Sequence, residues 1–301
     1  MKLYAAIDVG GTEIKYAVIN DAGEILYHDS SPTPRADYKQ RIPEELLKIM
    51  RVLLEKYGAV QGIGISTAGV VDSQTGEIIF AGGTMPGYVG TNLKICMEQA
   101  YGLPTHVAND VNAAAIGEKW KGAARRCDHF FCLTIGTGIG GALYCGGRLV
   151  TGQHHRAGEI GHSLFDKVTR TTYEQRASMT ALLKMARESG FPGTPRELFD
   201  EARAGSGLCN EIIEGWAEEI ARGLAEIILI TDPGLIIIGG GVSEQKEFLT
   251  GRIRPHLNAY LPDNFCKTEI RTALLGNKAA LLGAVYPFFE SDRECEESGR
   301  E

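Results

Sequence analysis

The chain has 301 residues, 44% of them hydrophobic and 23% charged, with a net charge of −7. That is enough apolar material for more than one core, and no basic cluster marks nucleic acid or an anionic membrane as the partner. The apolar run within Met1–Asp8 is too short for a signal peptide, and no stretch approaches the roughly 20 apolar residues of a membrane helix, so a cytoplasmic protein is expected.

Leu3–Val9 reads as a buried strand, Gly10-Gly11-Thr12 as a tight turn, and Ile14–Asn20 as a second strand. Asp21-Ala22-Gly23 turns into a third, Glu24–Asp29. A helix is predicted over Pro43–Tyr57, where Leu46, Leu47, Met50, Leu53 and Leu54 recur at helical spacing and Gly58 stops it. Gly62–Thr67 is the next buried strand. Thr105–Ala108 is a shorter one, ending in Asn109-Asp110 before a helix to Lys121.

The opening pattern then returns: strand Phe130–Ile135, turn Gly136-Thr137-Gly138, strand Gly140–Cys145, turn Gly146-Gly147, strand Arg148–Thr151. Leu208–Thr231 reads as a long helix with Ile213, Trp216, Ile220, Leu224 and Ile227 on one face, ended by Asp232-Pro233-Gly234. Leu235–Ile238 is a short apolar strand entering Gly239-Gly240-Gly241. A helix at Lys278–Tyr286 is expected to stop near Pro287, with the charged residues after Ser291 frayed. The repeat predicts a duplicated α/β chain of two lobes with a cleft, its boundary near Lys119–Asp128. The seven cysteines (96, 127, 132, 145, 209, 266, 295) are scattered and form no C-x-x-C pair, which fits a reducing compartment.

Two turns invite a phosphate. Asp8 precedes Gly10-Gly11-Thr12, where backbone N–H groups and a hydroxyl can approach phosphate oxygens, and a carboxylate there suits magnesium, directly or through water. Gly136-Thr137-Gly138 offers the same chemistry. Either alone reads equally well as a glycine-rich hairpin; two at equivalent places in a repeat favour the phosphate reading. Gly136, Gly138 and Gly141 satisfy G-x-G-x-x-G, but a strand follows where a dinucleotide fingerprint needs a helix. There is no P-loop motif. On residue chemistry alone, Asn109-Asp110 is best read as a helix N-cap.

Asp8–Thr12, Gly64–Gly69, Asn109-Asp110, Leu133–Gly141, Ala157-Gly158-Glu159-Ile160-Gly161-His162 and Ile238–Gly241 together resemble the ROK family of sugar kinases and repressors, in family order over nearly the whole chain. The resemblance implies a two-lobed actin-like ATPase (ribonuclease H-like) fold, with duplicated βββαβαβα lobes around a cleft that binds ATP and Mg2+. It places residues 1–120 plus about 280–301 in the first lobe and 121–279 in the second, the final helix packing back on the first. A homodimer is also implied. The repressors carry an extra helix-turn-helix domain before the first phosphate strand; here that strand begins at Leu3, so an enzyme is expected. A catalytically idle sugar sensor is the alternative.

By the same resemblance, Asp110 is the catalytic base, since an aspartate of ordinary acidity, about 4, is ionised at neutral pH. Asn109, Glu159, His162, Glu174 and Gly69 contact the sugar. Asp8, Gly10, Gly11, Thr12, Thr137, Gly138, Gly240 and Gly241 serve the nucleotide and its magnesium, with Gly240 and Gly241 at the adenosine. His154 and His155 read as surface or loop residues.

One departure matters. Many ROK proteins follow the histidine matched by His162 with a cysteine run that binds structural zinc, whereas Ser163–Tyr173 has no cysteine. The chain thus looks like a zinc-free member, similar to N-acetylmannosamine kinases and β-glucoside kinases, with His162 held by hydrogen bonds and its loop more mobile. C6 is the expected hydroxyl. The missing zinc run and the Gly90-Thr91-Asn92-Leu93 segment favour N-acetylmannosamine, with glucose next.

Overall fold

The structure is a computed structural model that describes residues 1–83 and 85–298, with side chains up to Glu290. In chain order the elements are β1 (Leu3–Val9), β2 (Glu13–Asn20), β3 (Ile25–Pro32), α1 (Tyr38–Tyr57), β4 (Ile63–Thr67), β5 (Val70–Asp72), β6 (Glu77–Phe80), α2 (Leu93–Tyr101), β7 (Thr105–Asn109) and α3 (Asp110–Lys121). There follow β8 (Phe130–Ile135), β9 (Ile139–Cys145), β10 (Arg148–Val150), α4 (Glu174–Ala177), α5 (Met179–Glu188), α6 (Pro195–Arg203), α7 (Gly207–Thr231), β11 (Leu235–Gly239), α8 (Glu247–Tyr260), β12 (Glu269–Thr272) and α9 (Ala279–Ser298). They group into two compact units. One holds residues 1–122, 151–157 and the chain from Asn277; the other holds 123–150 and 158–276.

Each unit is built on a five-stranded sheet, and the two sheets share one topology: β3-β2-β1-β4-β7 and β10-β9-β8-β11-β12. In both, the first strand pairs antiparallel with the second and parallel with the fourth in order. Each glycine turn therefore joins the first two strands, beside the parallel half of its sheet. The apolar runs of β1, β4, β8 and β11 are buried on both faces, as parallel strands covered by helices must be.

In the first unit, α1 starts at Tyr38, ahead of the predicted Pro43, because Tyr38 and Ile42 are buried with Leu46, Met50 and Leu53. Helix α9 corrects the expected stop at Pro287. It continues through the proline, whose interior cost is about 3 kcal/mol. Phe288 stacks on Tyr4 with ring centroids 5.2 Å apart, and Phe289 lies 4.7 Å from Trp120. Partly burying two aromatics against Tyr4 and Trp120 works against the proline's cost. The fraying expected after Ser291 is not what the backbone shows to Ser298; residues 299–301 lie outside the described residues. Gly283 of α9 meets the backbone of Ala113 and Gly117 on α3, and Gly64 of β4 meets Ala284, so no side chain would fit at either contact.

In the second unit, α7 runs through the core with Trp216, Ile220 and Leu224 fully buried. Trp216 Nε1 donates to the carbonyls of Ala177 and Ser178 at 3.0 and 3.2 Å, tying the start of α5 to α7. Sequence periodicity does not give the β5–β6 hairpin, α2, α4–α6, α8 or β12.

Candidate active site

In the first unit, Asp8 ends a buried stretch of β1. Ser66 Oγ on β4 donates to its Oδ1 at 2.7 Å, and Lys15 is its cross-strand neighbour. Burial pushes the Asp8 carboxyl above its ordinary range; the Ser66 bond and the Lys15 charge pull the other way. The turn that follows is closed by a Gly10 N–H bond to Glu13 O. Thr33, buried at the end of β3, donates its hydroxyl to Gly10 O at 2.7 Å and its N–H to Thr12 O at 3.0 Å. With those carbonyls occupied, Gly11 and Thr12 remain exposed.

Asn109 caps α3: its Oδ1 accepts from the N–H groups of Val111 and Asn112 at 2.9 and 3.0 Å. Asp110, the first helical residue, shares the Val111 N–H, at 2.9 Å from its Oδ1. The Asn109 Nδ2 donates to Gly69 O at 2.9 Å and to Asp110 Oδ1 at 3.0 Å. Both amide ends thus carry two hydrogen bonds, the full capacity of the group. Asn109 joins Gly69 and Asp110, three of the predicted residues, in one network. Gly69 has φ 97°, where a side chain would also strike Phe80 O.

In the second unit, Gly136-Thr137-Gly138 occupies the equivalent place between β8 and β9. Thr180 Oγ1 donates to Thr137 O at 2.7 Å, and Met179 N–H to Gly136 O at 2.9 Å. A threonine from elsewhere in the fold ties back a carbonyl in each turn, and neither Thr33 nor Thr180 is legible in the sequence as a site residue. The predicted sugar segment lies directly on this turn and its strand. Gly158 and Gly141 pack backbone to backbone, and a side chain at Gly161 would strike Ile139 O. These contacts explain the motif's glycines. Glu174 reaches the same place: its Oε2 accepts the Ile139 N–H at 2.9 Å and sits against Gly138.

His162 Nε2 is 3.9 Å from Glu159 Oε2. Burial raises the Glu159 carboxyl above its usual range, His162 opposes the shift and Glu174 adds to it, so these three predicted sugar ligands share one electrostatic neighbourhood. Thr137 and Gly241 also line a cavity of about 660 Å³ with Thr180, Arg196, Phe199 and Arg203, a volume that suits a nucleoside. Gly240, at φ 82°, packs on the Ile135 main chain, whereas the Cα of Gly241 faces open space.

Three expectations gain structural detail. His155, read as a surface or loop residue, lies in the irregular 151–157 segment grouped with the first unit, half-buried, with Nε2 3.6 Å from Asp72 Oδ1. The family resemblance places that segment in the second lobe. Asn92 caps α2 through Ile95 N–H and donates to Thr75 O, so its side chain carries no argument about the sugar. The Ser163–Tyr173 loop, expected to be mobile, is cross-braced by Arg176.

The ROK family profile matches residues 4–289. The chain belongs to the ROK family. Among ROK relatives, the β-glucoside kinase of Listeria monocytogenes is 34% identical over 97% of this chain and 99% of its own. The glucokinase of Thermotoga maritima is 31% identical over 92% and 94%. The ROK glucokinase of Streptomyces griseus, solved with glucose and AMPPNP, superposes with a TM-score of 0.82 at 29% identity, covering 94% of this chain and 98% of that one. A Listeria monocytogenes protein proposed to be an N-acetylmannosamine kinase gives 0.84 at 34%, covering 96% and 99%. The fold is accordingly the actin-like ATPase type of the ROK sugar kinases.

Proposed function

We propose that the chain transfers the terminal phosphoryl group of ATP to the C6 hydroxyl of a hexose or N-acylhexosamine, with Asp110 as the base. The chain is a sugar kinase, as are the named relatives it matches along almost their full lengths. The observation that carries the finer reading is the division of labour at Asn109-Asp110. Because the Asn109 amide caps α3 and also holds Asp110 Oδ1, the carboxylate is fixed at the helix start without having to serve as the cap.

Phosphoryl transfer to an alcohol rests on positioning and charge neutralisation, with a base to take the hydroxyl proton. Asp110 takes that proton. Glu159, His162 and Glu174 accept from or donate to ring hydroxyls. The hydroxyls of Thr12 and Thr137 donate to phosphate oxygens, while Thr33 and Thr180 hold turn carbonyls. The cavity beside Gly241 takes the nucleoside, in keeping with the AMPPNP bound by the Streptomyces griseus enzyme. Asp8 fits magnesium: it is a largely desolvated carboxyl held above its ordinary range by burial, and a cation beside it would favour its ionised form. The metal would neutralise phosphate charge there.

A coupled ADP-release assay over glucose, N-acetylmannosamine and β-glucosides tests the reading, with 31P NMR locating the product phosphate. The expected result is sugar-stimulated ADP release and a phosphate on C6 for at least one member of the panel. Saturable sugar binding without ADP release would favour the sensor.

A further inference from the structure

The loop between the two halves of the sugar site, Ser163 to Tyr173, is polar and exposed at its tip, with Phe165 and Val168 57% and 92% exposed. Leu164 and Arg170 have φ of 52° and 56°, conformations that cost a non-glycine residue stability unless its surroundings hold it. At its base, Tyr173 N–H donates to Ser163 O at 2.9 Å and Asp166 N–H to Thr171 O at 2.8 Å. The two feet of this loop carry His162 and Glu174, so its closure sets the spacing of two proposed sugar ligands.

One side chain spans it. Arg176 Nη2 donates to Leu164 O at 2.8 Å, and Nη1 donates to Thr171 O and Oγ1 at 2.8 and 2.9 Å. Its Nε donates to Glu219 Oε2 at 3.0 Å, on the face of α7 that also accepts the Tyr173 hydroxyl at Ile220 O. Arg176 is only 13% exposed, so these charge-assisted bonds are little weakened by water. A planar fork with fixed donors suits such bracing, and a lysine cannot reproduce it.

The structural zinc that the family resemblance would suggest does not fit here. Zinc prefers thiolate and imidazole, whereas residues 163–173 hold neither; Asp166 Oδ1 already accepts the N–H groups of Val168 and Thr169, and the carbonyls of Leu164 and Thr171 are bound to a cationic guanidinium. We infer that Arg176, braced by Glu219, is the positioning residue of the sugar loop, closing the 163–173 segment with one guanidinium. The inference rests on the sugar-site reading above.

Hydrogen exchange of the 163–173 amides, measured alongside sugar and ATP kinetics, tests it in the full chain. In Arg176→Met, exchange in that segment should rise at least tenfold, and sugar KM should rise about tenfold or more. ATP KM and exchange in β8 and β9 should stay near wild type. Arg176→Lys should restore part of both losses. Thr171→Val, which removes one acceptor, should give a smaller change in the same direction and serves if Arg176→Met does not fold. Wild-type exchange should be unchanged by a chelator. Unchanged loop exchange in the variants would overturn the brace, as would wild-type exchange that rises on chelation. Faster exchange with sugar KM unmoved would overturn the positioning role. A wild-type enzyme that phosphorylates no sugar would instead fail the function, while exchange still decides the brace.

Discussion

The Glu159 carboxyl is raised by burial and by Glu174, and His162 opposes both. A carboxyl raised on folding binds its proton more tightly in the native state, so its contribution to stability falls as pH rises through the window above the ordinary glutamate value. The same carboxylate is proposed to accept a sugar hydroxyl, for which it must be ionised. Glu159→Gln should therefore keep or slightly raise the neutral-pH melting temperature while raising sugar KM roughly tenfold, as expected for one lost polar partner in a hydrogen-bonding site. A drop in melting temperature with normal sugar KM would make Glu159 a structural residue. Single residues are legible in the sequence where a motif announces them, as in Gly158–His162. Asn109 is assigned to the sugar by the family resemblance, and what the sequence does not show is that its amide also holds Gly69 O, Asp110 and the start of α3. Thr33 and Thr180 are invisible there because the carbonyls they bind lie 23 and 43 residues away.

The contact of α3 with α9 depends on glycine. Gly283 meets Ala113 and Gly117 backbone, and Gly117 meets Ala279 O, so the helices approach with no side chain between them. Gly283→Ala should destabilise by about 1–3 kcal/mol, the usual cost of overpacking. Gly251→Ala, in α8 with open space around it, should stabilise by about 0.5–1 kcal/mol. Thermal unfolding of the two variants checks this; equal shifts would mean that the close approach is not structural. Strands written as apolar runs between glycines are legible almost to the residue. Helix α9 is cut short in the sequence because a proline signals a stop locally, and only tertiary packing on Tyr4 and Trp120 shows why it does not. The β5–β6 hairpin and α4–α6 interrupt the repeat, so the repeat could not announce them.

Along the full chain, one sheet topology occurs twice, and each copy carries a glycine turn between its first two strands with a threonine tying a carbonyl back. The duplication is legible because it is written in the strand pattern. The bracing threonine is not, since it follows β3 in one unit and comes from α5 in the other. Among the described residues no helix is long and apolar enough to cross a membrane. Everything proposed for the chemistry turns on Asp110, fixed by Asn109, acting as the base of a sugar kinase. Turnover and sugar affinity of Asp110→Asn, measured side by side with wild type, test that role without an intermediary. The expected outcome is a fall in kcat of roughly 10² or more with sugar affinity largely kept. A near-normal kcat would refute the role and leave Asp110 as part of the helix start alone.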